Sequence, residues 1–363
     1  MAGEQRKRAH AVRGTVVQVE FSSRVLRRNP LGDPSVRRLP VYLPPGYATS
    51  SRRYPVLFAL SGFTGSGRSW LNTSPWGEAL DARLDRLHAT GVLAPTIVVM
   101  PDCCTRWGGS QYLDSSATGR YEEHLIGEVV PWVEKSCRTL PGRAHRGVFG
   151  KSSGGYGALR LGMRHPEVFG AVACHSGDMG FEFCYFPDFP KFLRQVERHG
   201  GVAGFVRAFE ASPRKSHELF DAMNILAMAA CYSPQPGRPF GIGLPMHLHT
   251  GALDRGTWER WLRQDPLRLL PRHAAALRSL RLLYLDCGSS DEFALHLGAR
   301  QFHAGLQRLG IRHRYEEFDD GHMNVSYRLD RSLPLLRRAL GRRPSKPRRS
   351  RNQKVLRRLG MRG

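Results

Sequence analysis

The chain has 363 residues, of which 41% are hydrophobic and 24% charged, enough apolar material for a sizeable buried core and too much for a disordered or fibrous chain. The formal net charge of +24 comes from 55 Lys and Arg against 31 Asp and Glu, and arginine supplies nearly all of the excess. Seven cysteines, an odd number without zinc-type spacing, speak against a disulfide scaffold, and no run of 18 apolar residues offers a membrane span.

Residues 1–13 read as a basic, flexible lead: Arg6, Lys7 and Arg8 are not followed by an apolar run, so no secretory signal is expected and a reduced, cytoplasmic setting is. Val16–Phe21 and Arg37–Leu43 read as two edge strands, the second closed by Pro44-Pro45-Gly46. Six short apolar runs follow: Pro55–Leu60, Thr96–Met100, Arg146–Phe149, Ala171–Cys174, Leu280–Leu285 and Arg312–Phe318. Helix-like stretches separate them, among them Tyr121–Lys135, Gly154–His165 and Glu292–Leu309. This alternation predicts an α/β fold with a mainly parallel central sheet and helices on both faces, and chemistry in the loops at the carboxyl ends of its strands. One domain over residues 14–340 is expected, with an irregular insertion around 178–270 that breaks the rhythm. Leu333–Leu340 reads as a closing helix. Residues 341–363 hold ten Lys and Arg and no acid, and read as a disordered basic tail suited to weak, non-specific binding of polyanions.

The strongest chemical signal is Gly150-Lys151-Ser152-Ser153-Gly154, a G-x-S-x-G frame set directly after a strand and before a helix. Small neighbours let the backbone turn sharply, so the serine stands exposed at the strand end. Ser152 is the expected nucleophile; the same frame around Ser153 would need glycine where Lys151 stands. A serine needs a base, and His322 in Asp320-Gly321-His322 follows the last strand, whereas His296, His303 and His313 fall within the preceding helix and strand. His175 comes too early in the chain for the base, though it could line the pocket. The acid falls between nucleophile and histidine: Asp291 is favoured, with Asp286, nearer the strand end, the runner-up and Glu292 reading as a helix start. Two backbone N–H groups must meet the oxyanion, those of Ser153 and of Phe63 in Ser61-Gly62-Phe63-Thr64-Gly65. Trp107, Tyr112, Phe181 and Tyr185 are candidates for pocket or core alike, Asp178 and Glu182 for groups facing the site, and Cys103 and Cys104 for packing. No metal or organic cofactor is expected.

The segments LSGFTGSG, FGKSSGGYGALRLGMRHPEVFGAV, SGDMGFE, DCGSSDEF and FDDGHMNVSYR resemble the putative esterase family, which includes the S-formylglutathione hydrolases and enterochelin esterases. The resemblance covers roughly residues 35–340. It implies an α/β-hydrolase fold and a Ser-Asp-His triad on Ser152, Asp291 and His322, with Phe63 in the oxyanion loop. Phe63-Thr64-Gly65 departs from the Leu-Thr-Cys usual in the formylglutathione hydrolases. The function expected is hydrolysis of a small-molecule carboxylic ester, with thioesters included, through an acyl-enzyme. Its rivals are an acyltransferase using the same residues, and a nucleic-acid or membrane-surface binder with an inert hydrolase body.

Overall fold

The computed structural model describes residues 13–341; apart from Arg13 and Gly341, the basic lead and the basic tail lie outside the described residues. Among the described residues twelve strands form in chain order: β1 Thr15–Ser22, β2 Val36–Leu43, β3 Val56–Leu60, β4 Ile97–Val99, β5 Cys104–Thr105, β6 Gly108–Gly109, β7 Asp114–Ser115, β8 Gly119–Arg120, β9 Arg146–Lys151, β10 Ala171–His175, β11 Leu282–Gly288 and β12 Arg314–Phe318. Eight of them make one sheet in the order β1-β2-β4-β3-β9-β10-β11-β12. The β1–β2 and β2–β4 pairs are antiparallel; β4, β3, β9, β10, β11 and β12 run parallel. This is an α/β-hydrolase fold. The central strands β3, β9 and β10 are buried at nearly every residue, as a sheet covered on both faces demands.

Two apolar layers provide that cover. Leu80, Leu84 and Leu87 of the Leu80–Ala89 helix join Leu329, Leu333, Leu336 and Leu340 of the Leu329–Gly341 helix over Leu57, Phe149 and Tyr284. On the other face, the Ser153–Arg164 and Leu295–Arg308 helices pack over Phe58, Val148 and Val172. Residues 178–270 hold helices at Phe181–Cys184, Phe189–Arg198, Val202–Ala211, His217–Tyr232, Arg255–Leu262 and Pro266–Leu269. They gather around an aromatic cluster in which Phe181 meets Tyr185 and Tyr232 at 4.8 and 5.0 Å between ring centroids, and Tyr185 meets Trp261 at 5.8 Å. Such pairs add about 0.5–1.5 kcal/mol each to the area they bury.

Local chemistry trims several elements relative to the pattern in the sequence. The helix read from Glu292 begins at Leu295, because the Asp291 carboxylate captures the N–H groups of Phe293 and Leu295 in a turn and Ala294 adopts φ 55°. The last strand begins at Arg314 rather than Arg312, after His313 Nδ1 has bonded to the Ile311 carbonyl. The short hairpins β5–β6 and β7–β8 were not legible at all; the link between them carries Gln111 and Tyr112 at φ 52° and 54°, a conformation uncommon for residues with a Cβ.

Candidate active site

Strand β9 ends at Lys151 and the Ser153–Arg164 helix begins two residues later, so the chain reverses within Ser152. Ser152 takes φ 57° and ψ −129°, a strained conformation for an L-residue. Its amide donates to the His175 carbonyl at 2.9 Å, fastening the turn to the end of β10. The flanking glycines are obligatory: a Cβ at Gly150 would run into the Gly154 carbonyl, and one at Gly154 into that of Leu60. The elbow is thus a product of close backbone approach on both sides of the serine.

The loop after β3 lies across this turn. A Cβ built on Gly62 would sit 3.6 Å from Ser152 Cβ and 3.5 Å from the Lys151 carbonyl, so this loop and the elbow face each other at van der Waals distance. Ser61 Oγ donates to the Ser66 carbonyl at 2.7 Å, and the Tyr112 hydroxyl donates to the Ser61 carbonyl at 2.7 Å, fixing the loop from inside and outside. Phe63 is buried with its ring edge-on to Phe220 at 5.6 Å. The N–H groups of Phe63 and Ser153 have no protein acceptor among the described residues, and both residues line the cavity with Ser152.

Beyond β11, Asp291 is buried, and its Oδ2 lies 2.8 Å from His322 Nδ1. Asp291 Oδ1 accepts from the Phe293 N–H at 3.0 Å and from that of Leu295 at 3.4 Å, and the Cys287 thiol reaches Oδ2 at 3.7 Å. The carboxylate is therefore held on both oxygens. His322 is buried too, with the Phe293 ring edge-on at 4.9 Å and its own N–H donated to Glu292 Oε2. With Nδ1–H committed to Asp291, the ring presents Nε2 as an acceptor. Ser152, Ser153, Phe63 and His322 line one cavity of about 650 Å³. No hydrogen bond joins the Ser152 hydroxyl to the His322 ring; the two groups share the cavity, and such bonds often tighten only around substrate.

The other carboxylate, Asp286, has different partners. Its Oδ1 lies 2.7 Å from His175 Nδ1, and its Oδ2 accepts from the Tyr284 hydroxyl at 2.9 Å and from Arg328 Nε at 3.0 Å. His175 Nε2 meets Ser332 Oγ at 2.8 Å. His175 lies beneath the elbow, away from the cavity lining. His303 and His313 meet each other at 2.7 Å, also away from it.

Among the remaining candidates, Tyr185 and Asp178 line the cavity, while Trp107, Tyr112 and Phe181 are buried outside its lining. Glu182 points to solvent, 3.7 Å from Arg268. Cys103 is buried, and burial pushes its thiol up, away from thiolate chemistry. Lys151 lines the cavity, and burial lowers its ammonium below the usual lysine range, partly offset by Asp291 and Glu292. Residues 178–270 contribute Cys184, Tyr185, Asp188, Phe220, Asp221 and Asn224 to the wall. Gln111 lies in the family-like segment RWGGSQYLDSSATGRYEEHLIGEVVPWVE, but no role for it is legible there, and only the fold brings it to Asp178.

A family model described as "Putative esterase" matches residues 34–330. The endo-1,4-beta-xylanase/feruloyl esterase of Xylanibacter ruminicola is 31% identical over 193 residues, 49% of this chain and 25% of that protein. The match thus spans about a quarter of that relative's length. Among solved structures, a ferulic acid esterase superposes with TM-score 0.60 at 21% identity, covering 91% of this chain and all of the other. The S-formylglutathione hydrolase of Agrobacterium tumefaciens superposes with TM-score 0.59 at 18% identity, covering 92% and 98%. At these identities the structural likeness bears on the fold alone.

Proposed function

Since this chain belongs to the putative esterase family, we propose that it is a serine esterase in which Ser152, His322 and Asp291 form the catalytic triad. The observation that carries the reading is the Asp291–His322 contact of 2.8 Å beside a strained Ser152 in one cavity. His322 Nε2 takes the Ser152 proton as Oγ attacks the ester carbonyl, and Asp291 stabilises the imidazolium that forms. The oxyanion rests on the N–H groups of Phe63 and Ser153, where one such donor is worth about 3 kcal/mol. The bond to the alcohol breaks as His322 returns its proton to the leaving oxygen. Water then enters, gives a proton to His322 and repeats the attack on the acyl-enzyme, releasing acid and Ser152.

The cavity walls include Phe63, Trp70, Phe220 and Phe293, an apolar surface for an aromatic or medium acyl chain. Aromatic acyl esters of the feruloyl kind are the first substrates to test, with S-formylglutathione as the thioester arm, both suggested by the proteins this chain is similar to. No helix among the described residues is long and apolar enough to cross a membrane, and all seven cysteines are unpaired; a reducing, cytoplasmic site of action is part of the proposal. The test is a pH-stat assay of purified chain against methyl hydroxycinnamates, p-nitrophenyl esters of graded length and S-formylglutathione. Ser152→Ala is expected to abolish turnover without unfolding. Near wild-type turnover in folded Ser152→Ala sinks the assignment. Added alcohols separate hydrolysis from acyl transfer: an acyltransferase yields the transesterified product in place of free acid.

A further inference from the structure

Beside the elbow, one buried carboxyl faces the cavity with an oxygen that nothing in the protein uses. Asp178 is 6% exposed and lines the cavity next to Ser153, Cys184 and Tyr185. Its Oδ2 accepts three bonds: from Tyr185 OH at 2.8 Å, Gln111 Nε2 at 2.9 Å and Ser153 Oγ at 3.3 Å. Oδ1 accepts none among the described residues, and no Lys, Arg or His pairs with the group. Ser153 is the residue after the nucleophile, so one hydrogen bond links the Asp178 carboxyl to the elbow, and both line the same cavity.

The surroundings are costly to maintain. Gln111 is held at φ 52°, and its Oε1 is buried with no partner while its Nε2 serves Asp178, Tyr185 and Tyr232. Burial raises the Asp178 carboxyl above the usual range, with the bonds from Tyr185 and Gln111 and the nearby His322 pulling it back down. Backbone strain and orphaned buried polar atoms of this kind concentrate at ligand sites. An apolar pair in place of Asp178 and Gln111 would fill the same space without them.

We propose that Asp178 is a specificity-determining residue: its Oδ1 takes a hydrogen-bond donor, a hydroxyl or an ammonium, that the substrate carries close to its ester carbonyl. The inference rests on the esterase reading above and names the substrate class, hydroxylated or amino-bearing esters. A site built around such a bond rejects the analogue lacking the donor, because the buried acceptor is then left bare.

The experiment measures kcat/KM by pH-stat for matched esters on wild type, Asp178→Asn, Asp178→Ala and Ser153→Ala. On the acyl side the set is ethyl mandelate, ethyl phenylglycinate, ethyl α-methoxyphenylacetate and ethyl phenylacetate; on the alcohol side, 2-hydroxyethyl and 2-methoxyethyl phenylacetate. Wild type is expected to favour a donor-bearing ester over its methoxy or unsubstituted partner by about ten-fold or more. Which arm shows the ratio tells hydroxyl from ammonium and acyl from alcohol. The ratio is expected to fall toward one in Asp178→Ala and to shrink in Asp178→Asn, but to persist in Ser153→Ala, which removes only the link to the elbow. Wild-type ratios near one in every pair, or a ratio unchanged in either folded Asp178 variant, would overturn the proposal while leaving the esterase reading intact. Failure of wild type to cleave any ester would instead remove the reading beneath it.

Discussion

Two buried carboxylates, each bonded to a histidine, sit five residues apart, and exchanging either for its amide separates turnover from stability. In Asp291→Asn, Oδ1 can still accept the N–H groups of Phe293 and Leu295, so the loop keeps its shape. The new amide N–H₂ then faces His322 Nδ1, which can only accept from it. The ring is forced into the tautomer with hydrogen on Nε2, where a base needs a lone pair. In Ser-His-Asp relays this lowers kcat about 10⁴-fold. Asp286→Asn acts elsewhere: it strips the charge from a carboxylate bonded to His175, Tyr284 and Arg328. Arg328 keeps Glu316 and the Tyr284 hydroxyl, so the cost should be about 2–4 kcal/mol, toward the low end for a broken buried pair. At about 2 °C per kcal/mol for a domain this large, the melting temperature should fall by about 4–8 °C. The assay is p-nitrophenyl acetate turnover beside a thermal melt for both variants. Turnover of Asp291→Asn within ten-fold of wild type, or a larger kcat loss in Asp286→Asn at unchanged melting temperature, refutes the reasoning.

Ser153→Ala should keep activity within about ten-fold of wild type, since its N–H survives and only its hydroxyl bond to Asp178 is lost; refolded, inactive protein would contradict this. Gly154→Ala should cost more than about 3 kcal/mol or prevent folding, read from soluble yield and denaturant midpoint, because the added methyl meets the Leu60 carbonyl. Burial raises Asp265 to about 6 although it accepts from the N–H groups of Phe181, Leu267 and Gly180. A raised acid stabilises the fold below its unfolded value and loses that contribution as pH climbs through its folded value. Asp265→Asn should therefore gain on wild type by about 3 kcal/mol between pH 4 and 6.5 in urea titrations, and a flat difference would count against it. Removing residues 342–363 should leave turnover of small neutral esters nearly unchanged while flattening the salt dependence of DNA binding; lost turnover would place the tail within the enzyme.

The sheet was legible because β3, β9 and β10 are short apolar runs ending in glycine or serine, and the elbow because Gly150 and Gly154 leave their mark in the chain itself. Asp291 and Asp286 were harder to separate. Asp286 lies within β11 and Asp291 three residues past its end, and only the register that sets His175 opposite Asp286 shows where the second carboxylate goes. Gln111 was beyond reach: its left-handed backbone follows no composition rule, and its partners Asp178 and Tyr232 lie 67 and 121 residues away. The grouping of the helices in residues 178–270 was not legible because the aromatic residues that draw them together, Phe181, Tyr185, Tyr232 and Trp261, come from separate segments and meet only in the fold.

The contacts of His175 have an implication for how such enzymes are searched for. Ser332, His175 and Asp286 repeat the hydrogen-bond order of a hydrolytic relay, hydroxyl to imidazole to carboxylate, at 2.8 and 2.7 Å. All three are buried, and Ser332 sits within the Leu329–Gly341 helix with none of the left-handed strain that lifts Ser152. A geometric template of three side chains would accept this decoy readily, and by distance alone would rate it above a pair whose serine and histidine are not yet bonded. An activity-based phosphonate should tell them apart, labelling the serine that a ligand can reach and passing over the one sealed beneath it.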